Sequence, residues 1–490
     1  MLFNSQIFIF LFLPLALSGW FFINRLRAYR CALLFLVGMS LWFYGYFNPR
    51  YLAIILVSIG FNYSLSFVMD RLPGDKVRRI CCLVGCVGNV GLLGYYKYYD
   101  FFLDNLNTVF HTDFPLKNII LPLGISFFTL QQLSFVIDRS RGEAGHLPLL
   151  DYAAFVTFFP QLIAGPIVLH SELIPQLQDL RKRTFSAEDF ADGIVLFCLG
   201  LMKKVLLADT LAMIVNQGFE KIYWLDTPSA WLVALCFTFE LYLDFSGYCD
   251  MAMGIGKMFR MDLPVNFNSP YKAHSGREYW KRWHITLTRF FTKYVYIPLG
   301  GSRKGTARTI LNILIVFLIS GLWHGASWTF VIWGLLHGLS VAWSHRKHFR
   351  LKDGWLSWAC MFLYTIPVSA IFRSETVDNM CRILKAMFVP SFTGFFPELT
   401  GAMKQLSELY VPVKLLELKD PYLMNYFCPA VVFVLLAVTA FVLHGKNTQE
   451  LLASQKEKGF TRSFTLFLVV FTGWALISLT QVSTFLYFNF

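Results

Sequence analysis

Apolar runs separated by short polar breaks recur along the whole chain. The first covers residues 6–23, and further runs follow at 31–47, 51–69, 80–96 and 118–137. A helix rises 1.5 Å per residue, so about 20 apolar residues cross a ~30 Å hydrocarbon core. The runs have that scale, and they lack the ~10-residue alternating segments of a transmembrane barrel. The breaks carry charge unevenly. Arg25, Arg27 and Arg30 follow the first run, a sparse Asn48-Pro49-Arg50 turn follows the second, and Arg71, Lys76, Arg78 and Arg79 follow the third. The basic loops therefore belong inside and the sparse turns outside. No Lys or Arg precedes residue 6, so the first run reads as a retained helix with its amino end outside, not as a cleaved signal. Gly85, Gly88, Gly91 and Gly94 stand at every third position of the fourth run and predict close helix packing.

The middle of the chain is less regular. Residues 154–169, AFVTFFPQLIAGPIVL, are broken by Pro160 and Pro166 and flanked on both sides by basic loops, which predicts a re-entrant segment. Run 193–215 holds Lys203 and Lys204 near its centre. Facing lipid, each would cost about 2.5–3.5 kcal/mol, so both belong at an interface or toward an internal cavity. Run 231–258 encloses Glu240, Asp244 and Asp250. Residues 264–309 are the most basic stretch and read as cytoplasmic. The 35 residues of 310–344 contain no Asp, Glu, Lys or Arg. A straight helix of that length would be about 52 Å long, so the segment must tilt, bend or fold back. Arg303, Lys304 and Arg308 precede it, and Arg346, Lys347 and Arg350 follow it, which points to a hairpin with His324 near the tip. Runs 355–372, 429–442 and 463–486 complete the set. The loop 373–428 is long and mixed and yields no assignment, and no internal repeat suggests a two-halved transporter.

Composition narrows the class. The 490 residues are 56% hydrophobic and 15% charged, against a usual charged share of about 25%, which excludes a soluble cytosolic enzyme, a coiled coil and a disordered chain. The net charge of +13 resides in loops between apolar runs, where it serves orientation and anionic-lipid contact and not nucleic-acid binding. Several of the ten cysteines, among them Cys81, Cys82, Cys86, Cys198, Cys236 and Cys249, fall inside apolar runs and read as small buried residues.

Candidate chemistry is confined to a few positions. In 279–294, YWKRWHITLTRFFTKY, Trp280, Trp283, His284, Leu287, Phe291 and Tyr294 share one helical face, and Lys281, Arg282, Arg289 and Lys293 lie largely on others. This predicts one amphipathic interfacial helix with His284 on its buried side, either as a functional group or as a histidine bonded within an aromatic core. His324 lies some 14 residues past a basic boundary, roughly 20 Å deep if helical, and an ionisable group at that depth is a candidate site. His337 reads as a packing histidine. His345 and His348 read as interfacial anchors. Asp244, Ser246, Tyr248 and Asp250 form the cluster LDFSGYCD, either lining a polar lumen or proton path or forming a structural network with nearby lysines. A GxSxG elbow, an HExxH pair, a Walker loop and zinc-type Cys/His spacings are absent from the sequence.

The ordered motifs FFPQLIAGPI, LYLDFSGYCDMAMGIGKMF, LPVNFNSPY, REYWKRWHITLTRFF, YVYIPLGGSR, GLWHGASWTFVIWGLLHG and the terminal FLYFNF resemble the membrane-bound O-acyltransferase superfamily, in particular its bacterial alginate O-acetyltransferase branch. The resemblance runs from near residue 1 to the last residue. It implies a single all-α membrane domain over 1–490, with about 10–12 spans plus re-entrant segments around a transmembrane funnel or tunnel. It also implies a near-invariant histidine in a Trp-His-Gly setting and a second polar residue about forty positions earlier, which are His324 and His284 here. The implied donor is acetyl-CoA or an acyl-carrier thioester, entering from the cytoplasmic side of the inner membrane. Lys272, Arg277, Lys281 and Arg282 could pair with its phosphates, or serve only topology and lipid contact. The implied partners are the bilayer, SGNH-type acetyltransferases beyond it, and an exported polysaccharide. Alginate leads, with peptidoglycan, cellulose, teichoic-acid D-alanylation and transport of a lipid-linked glycan as alternatives.

Overall fold

The computed structural model describes residues 1–72, 74–345, 353–481 and 485–486. Arg346, Lys347, His348 and Arg350, and residues 487–490 of the terminal motif, lie outside the described residues. The described residues contain helices and no strand. Seven of these helices are long and apolar enough to cross a membrane: Phe8–Arg25, Arg50–Arg71, Asp75–Phe110, Thr227–Met258, Thr306–His324, Trp355–Arg373 and Pro421–His444. Tyr29–Gly45 and Arg462–Ile477 are shorter apolar helices. The chain is an all-α, multi-pass membrane protein. Its residues form two compact units. One contains residues Met1–Phe197, Tyr248–Val265 and Thr286–Val295, and the other Cys198–Gly247, Asn266–Ile285 and Tyr296–Phe490.

The first unit is centred on phenylalanine. Phe3, Phe8, Phe12, Phe43 and Phe159 are fully buried and meet at ring separations of 5.0–6.2 Å. A second, polar knot ties its helices where no water competes for hydrogen bonds. Asn62 and Asn89 exchange amide bonds of 3.1 and 2.6 Å, Asn62 also donates to Gln132, and Gln132 accepts from Tyr152 and donates to Ser58. The glycine series behaves differently from its expectation. A Cβ at Gly85 or Gly88 would strike Val136 or Phe61 at 2.7 and 2.6 Å, whereas Gly91 and Gly94 face open space. Steps of three residues turn 300° each, so four such glycines spread over half the circumference and cannot share one neighbour. The segment 154–169 is broken as its prolines predict. Helix Leu149–Thr157 stops, Phe159–Leu162 makes one turn, and irregular backbone continues to helix His170–Gln178. Every residue from Ala154 to His170 is buried, which gives the non-helical backbone the protein cover it needs at membrane depth.

In the second unit helix Thr306–His324 turns back within three residues into helix Trp328–Ser344. Ser327 starts the return helix by accepting from the Thr329 N–H at 3.3 Å. The two helices pack backbone against backbone. A Cβ on Gly321 would sit 2.3 Å from the Phe330 carbonyl oxygen, and one on Gly334 would sit 2.4 Å from that of Phe317. The 35-residue apolar stretch is thus a hairpin with His324 at its tip, as its flanking charges predict. The buried charge of run 193–215 is also resolved. Helix Ala187–Met202 passes into a π-helical turn, Lys203–Ala208, and then helix Asp209–Glu220. Lys204, 2% exposed, bridges Asp209 at 2.8 Å and Asp244 at 2.5 Å. Its charge is neutralised inside the protein instead of being presented to lipid.

Removing the cation from this triad strands two buried carboxylates. Lys204→Met is expected to destabilise the protein by about 3–5 kcal/mol. The K204M/D209N/D244N triple variant should regain much of that loss. Melting of the purified protein in detergent checks both outcomes.

Candidate active site

The predicted amphipathic helix 279–294 is interrupted where its histidine stands. Helix Gly276–Arg282 ends, helix Ile285–Phe291 begins anew, and His284 between them has φ +44°. That left-handed region is uncommon for a residue with a Cβ. The cause is a neighbouring stretch, 266–268, that pairs with the break. The Asn268 N–H donates to the Arg282 carbonyl and the Ile285 N–H donates to the Asn266 carbonyl, both at 2.9 Å. The fully buried Asn266 side chain then takes His284, with Oδ1 3.0 Å from Nδ1. An amide oxygen only accepts, so Nδ1 carries the proton and Nε2 is the basic nitrogen of the ring. Periodicity carried no trace of this, because the tertiary pairing overrides a helical pattern. The asparagine itself stands in plain view within LPVNFNSPY.

The hairpin tip brings His324 alongside. The His284 and His324 rings lie 6.5 Å apart, and the two residues are 0% and 3% exposed. Aromatic rings enclose the pair. Trp323, Trp333 and Phe372 stand 4.9, 5.0 and 5.4 Å from His324, while Phe245 meets His284 edge-on at 4.9 Å. Trp323, Trp333 and Phe245 stand within the motifs that resemble the family, and Phe372 alone is revealed only by its burial beside His324. The arrangement is two imidazoles in a buried aromatic shell, able to move a proton and to keep water from a reactive acyl group.

His337 is a packing histidine. Its Nδ1 accepts from the Trp280 indole N–H at 3.3 Å, and it stacks on Tyr279. Trp333 touches both His337, at 4.8 Å, and His324. Tyr364, whose ring lies 6.1 Å from that of His337, lines a cavity of about 390 Å³ together with His274, Ser275, Ser340, Ser344, Ser357, Leu336, Met361 and Trp343. The helix Gly276–Arg282 begins at this cavity.

The four basic candidates divide. Lys272 donates to the Gly445 carbonyl at 2.6 Å, and Arg282 pairs with Glu278 at 2.9 Å and donates to the Asn268 carbonyl. Both hold the local fold. Arg277 and Lys281 are exposed on the short helix beside the cavity. The acidic cluster divides as well. Asp244 pairs with Lys204 and accepts from the Leu486 N–H at 3.1 Å, and Tyr248 stacks on Phe3 at 4.7 Å. Ser246 and Asp250 are buried at 2% and 6% exposure.

Residues 86–350 match the MBOAT, membrane-bound O-acyltransferase family. The whole chain is 39% identical to the peptidoglycan O-acetyltransferase of Helicobacter pylori, covering 98% of that protein. It is 38% identical to a probable alginate O-acetylase of Azotobacter vinelandii, over 79% of this chain and 78% of the relative. A teichoic acid D-alanyltransferase of Streptococcus thermophilus is similar at 25% identity over 47% of the chain and 59% of the relative. A family match across more than half the chain and a relative matched from end to end show that this chain belongs to the membrane-bound O-acyltransferases.

Proposed function

We propose that the protein moves acetyl groups from a cytoplasmic thioester across the inner membrane toward hydroxyls of an exported or wall glycan. The observation that carries this reading is the pair of buried imidazoles, 6.5 Å apart, one at a hairpin tip and one held by Asn266. His324 is the general base. It takes the proton of the acceptor hydroxyl as the oxygen attacks the thioester carbonyl. The C–S bond breaks, and the imidazolium returns the proton to the departing thiolate. His284 positions and polarises the thioester, with its tautomer fixed by Asn266. A route through a transient acetyl-His324 uses the same residues. The donor is acetyl-CoA or an acyl-carrier phosphopantetheine. The cavity lined by Ser275, Ser340, Ser344, Ser357 and Tyr364 suits its amide arm, and Arg277 and Lys281 suit its phosphates. Soluble SGNH-type acetyltransferases complete the transfer on the far side.

The end-to-end match favours peptidoglycan as the acceptor. Alginate is the second reading, supported by relatives that cover 79% of the chain.

In vesicles with labelled acetyl-CoA and, separately, labelled acetyl-carrier protein, label is expected to reach a partner protein or glycan. Failure of both donors with active partners present would overturn the reading. His324→Ala is expected to lower transfer by about 10²–10⁴-fold at unchanged membrane abundance. Asn266→Ala is expected to lower kcat on the order of tenfold or more, with little change in KM, because it releases the His284 tautomer and not a substrate contact. The R277Q/K281Q double variant should instead raise the donor KM and weaken its dependence on salt.

A further inference from the structure

The stretch 373–428, opaque in the sequence, folds into a cap that is strapped to the beginning of the long helix Thr227–Met258. The Thr227 hydroxyl donates to the Ala386 carbonyl at 2.9 Å, the Trp231 indole donates to the Met387 carbonyl, and the Thr227 N–H donates to the Ser391 carbonyl. Buried Asp226 accepts the Gly394 N–H at 3.1 Å. Beside the Gly394 bond lies a cavity of about 580 Å³, within the usual size of small-molecule sites. Its polar lining is Gln217, Gln405, Asn425, Glu398 and Lys404, and the bare backbone of Gly394 and Gly401 faces open space.

The chemistry of this lining is selective. Side-chain amides offer a donor and an acceptor side by side, as do the hydroxyls of a sugar. The charge of Glu398 is met by Lys221 at 2.5 Å, which leaves Lys404 as the lining charge that makes no ion pair with a described residue. A protein partner would want aromatic or large apolar anchors at the centre, and the lining provides only Met424, Pro397 and Ala402 as apolar side chains. Position agrees. Helix Met424–His444 has the cavity at its first residues, and Gly445, just past its end, accepts from Lys272 of the basic stretch. Its 21 residues span about 30 Å, a membrane thickness. The cavity therefore opens on the face opposite the basic stretch, where a non-cytoplasmic acceptor is met.

We infer that this cavity is a saccharide subsite that holds a carboxylate-bearing segment of the acceptor glycan, with Lys404 on the carboxylate and Gln217, Gln405 and Asn425 on hydroxyls. The inference rests on the glycan-directed reading above and names where the glycan is held while the partner acetyltransferase completes the transfer. The carboxylate could belong to a uronate or to a muramyl peptide, and the test separates these sources.

The test is equilibrium binding to the full-length protein in nanodiscs, without acyl donor. The probes are a tetrameric oligouronate, a muramyl disaccharide-peptide, and neutral cellotetraose. One anionic saccharide is expected to bind saturably, at least tenfold more tightly than cellotetraose. Lys404→Gln and Gln405→Ala should each weaken it about tenfold, Lys404→Arg should restore it, and His324→Ala should bind as the unaltered protein does. Matching elution profiles of the variants exclude misfolding. Equal affinity for cellotetraose, or unaltered binding by K404Q, overturns the subsite. So does an absence of saccharide binding with transfer lost in K404Q, which would mark the cavity as a docking point for the partner enzyme. Normal acetyl transfer alongside any of these leaves the acyltransferase reading standing, whereas binding without transfer from either donor overturns that reading and not the subsite.

Discussion

The site depends on what Asn266 does to the chain. Its carbonyl takes the Ile285 N–H and its side chain takes His284 Nδ1, and between these two bonds the backbone adopts φ +44°. A left-handed residue with a Cβ costs roughly 1–2 kcal/mol. Each bond to a fully buried group is worth about as much, and leaving either partner unpaired there would cost more. The balance therefore favours the break. Had the helix continued, the phase of residues 279–282 would have dictated where His284 pointed. The interruption frees the imidazole from that phase and lets one asparagine determine both its direction and its proton.

The opposing wall obeys a different constraint, the close approach of two helix backbones. Gly321 and Gly334 lie where any side chain would collide with a facing carbonyl oxygen. Between helices in a lipid setting, van der Waals contact of this kind supplies association that hydrophobic burial cannot. The tight hairpin leaves His324 almost no freedom at its tip, with Trp333 from the return helix and Phe372 from helix Trp355–Arg373 against its ring. Two rigid devices, a pinned break and a glycine-packed hairpin, thus fix two imidazoles whose mutual geometry a loop could not hold. The aromatic shell has a second effect. Indole and phenyl rings packed on both imidazoles leave little room for water beside them.

Much of the fold was legible because membrane helices write themselves in long uncharged runs. The hairpin could be read from the charges flanking 310–344, and the broken segment 154–169 from Pro160 and Pro166. The membrane-depth argument singled out His324, the 279–294 face offered His284 as either a functional or a packing group, and the family resemblance paired the two. What stayed hidden has physical reasons. The 279–294 face obeys helical periodicity through Trp283 and His284, and nothing local reports that Asn266 and Asn268 will pair with its backbone. The Asn62–Asn89–Gln132 knot joins residues up to 70 positions apart, each unremarkable by itself. The cap 373–428 mixes short helices with polar turns, and its order comes from bonds to Asp226 and Thr227 that no window of sequence contains.

The long helix Thr227–Met258 shows how the charges of this protein are divided between holding and reacting. With 94% of its apolar window buried, a charge held on it needs a partner from within the protein. Asp244 is answered by Lys204, which the π-helical turn Lys203–Ala208 carries toward it, and by the Leu486 amide. A carboxylate that couples transport has to exchange partners between two faces of the membrane. One held at 1% exposure by an ammonium group 2.5 Å away, itself shared with Asp209, is built to remain where it is. Asp244 thus secures the helix on which Phe245 meets His284.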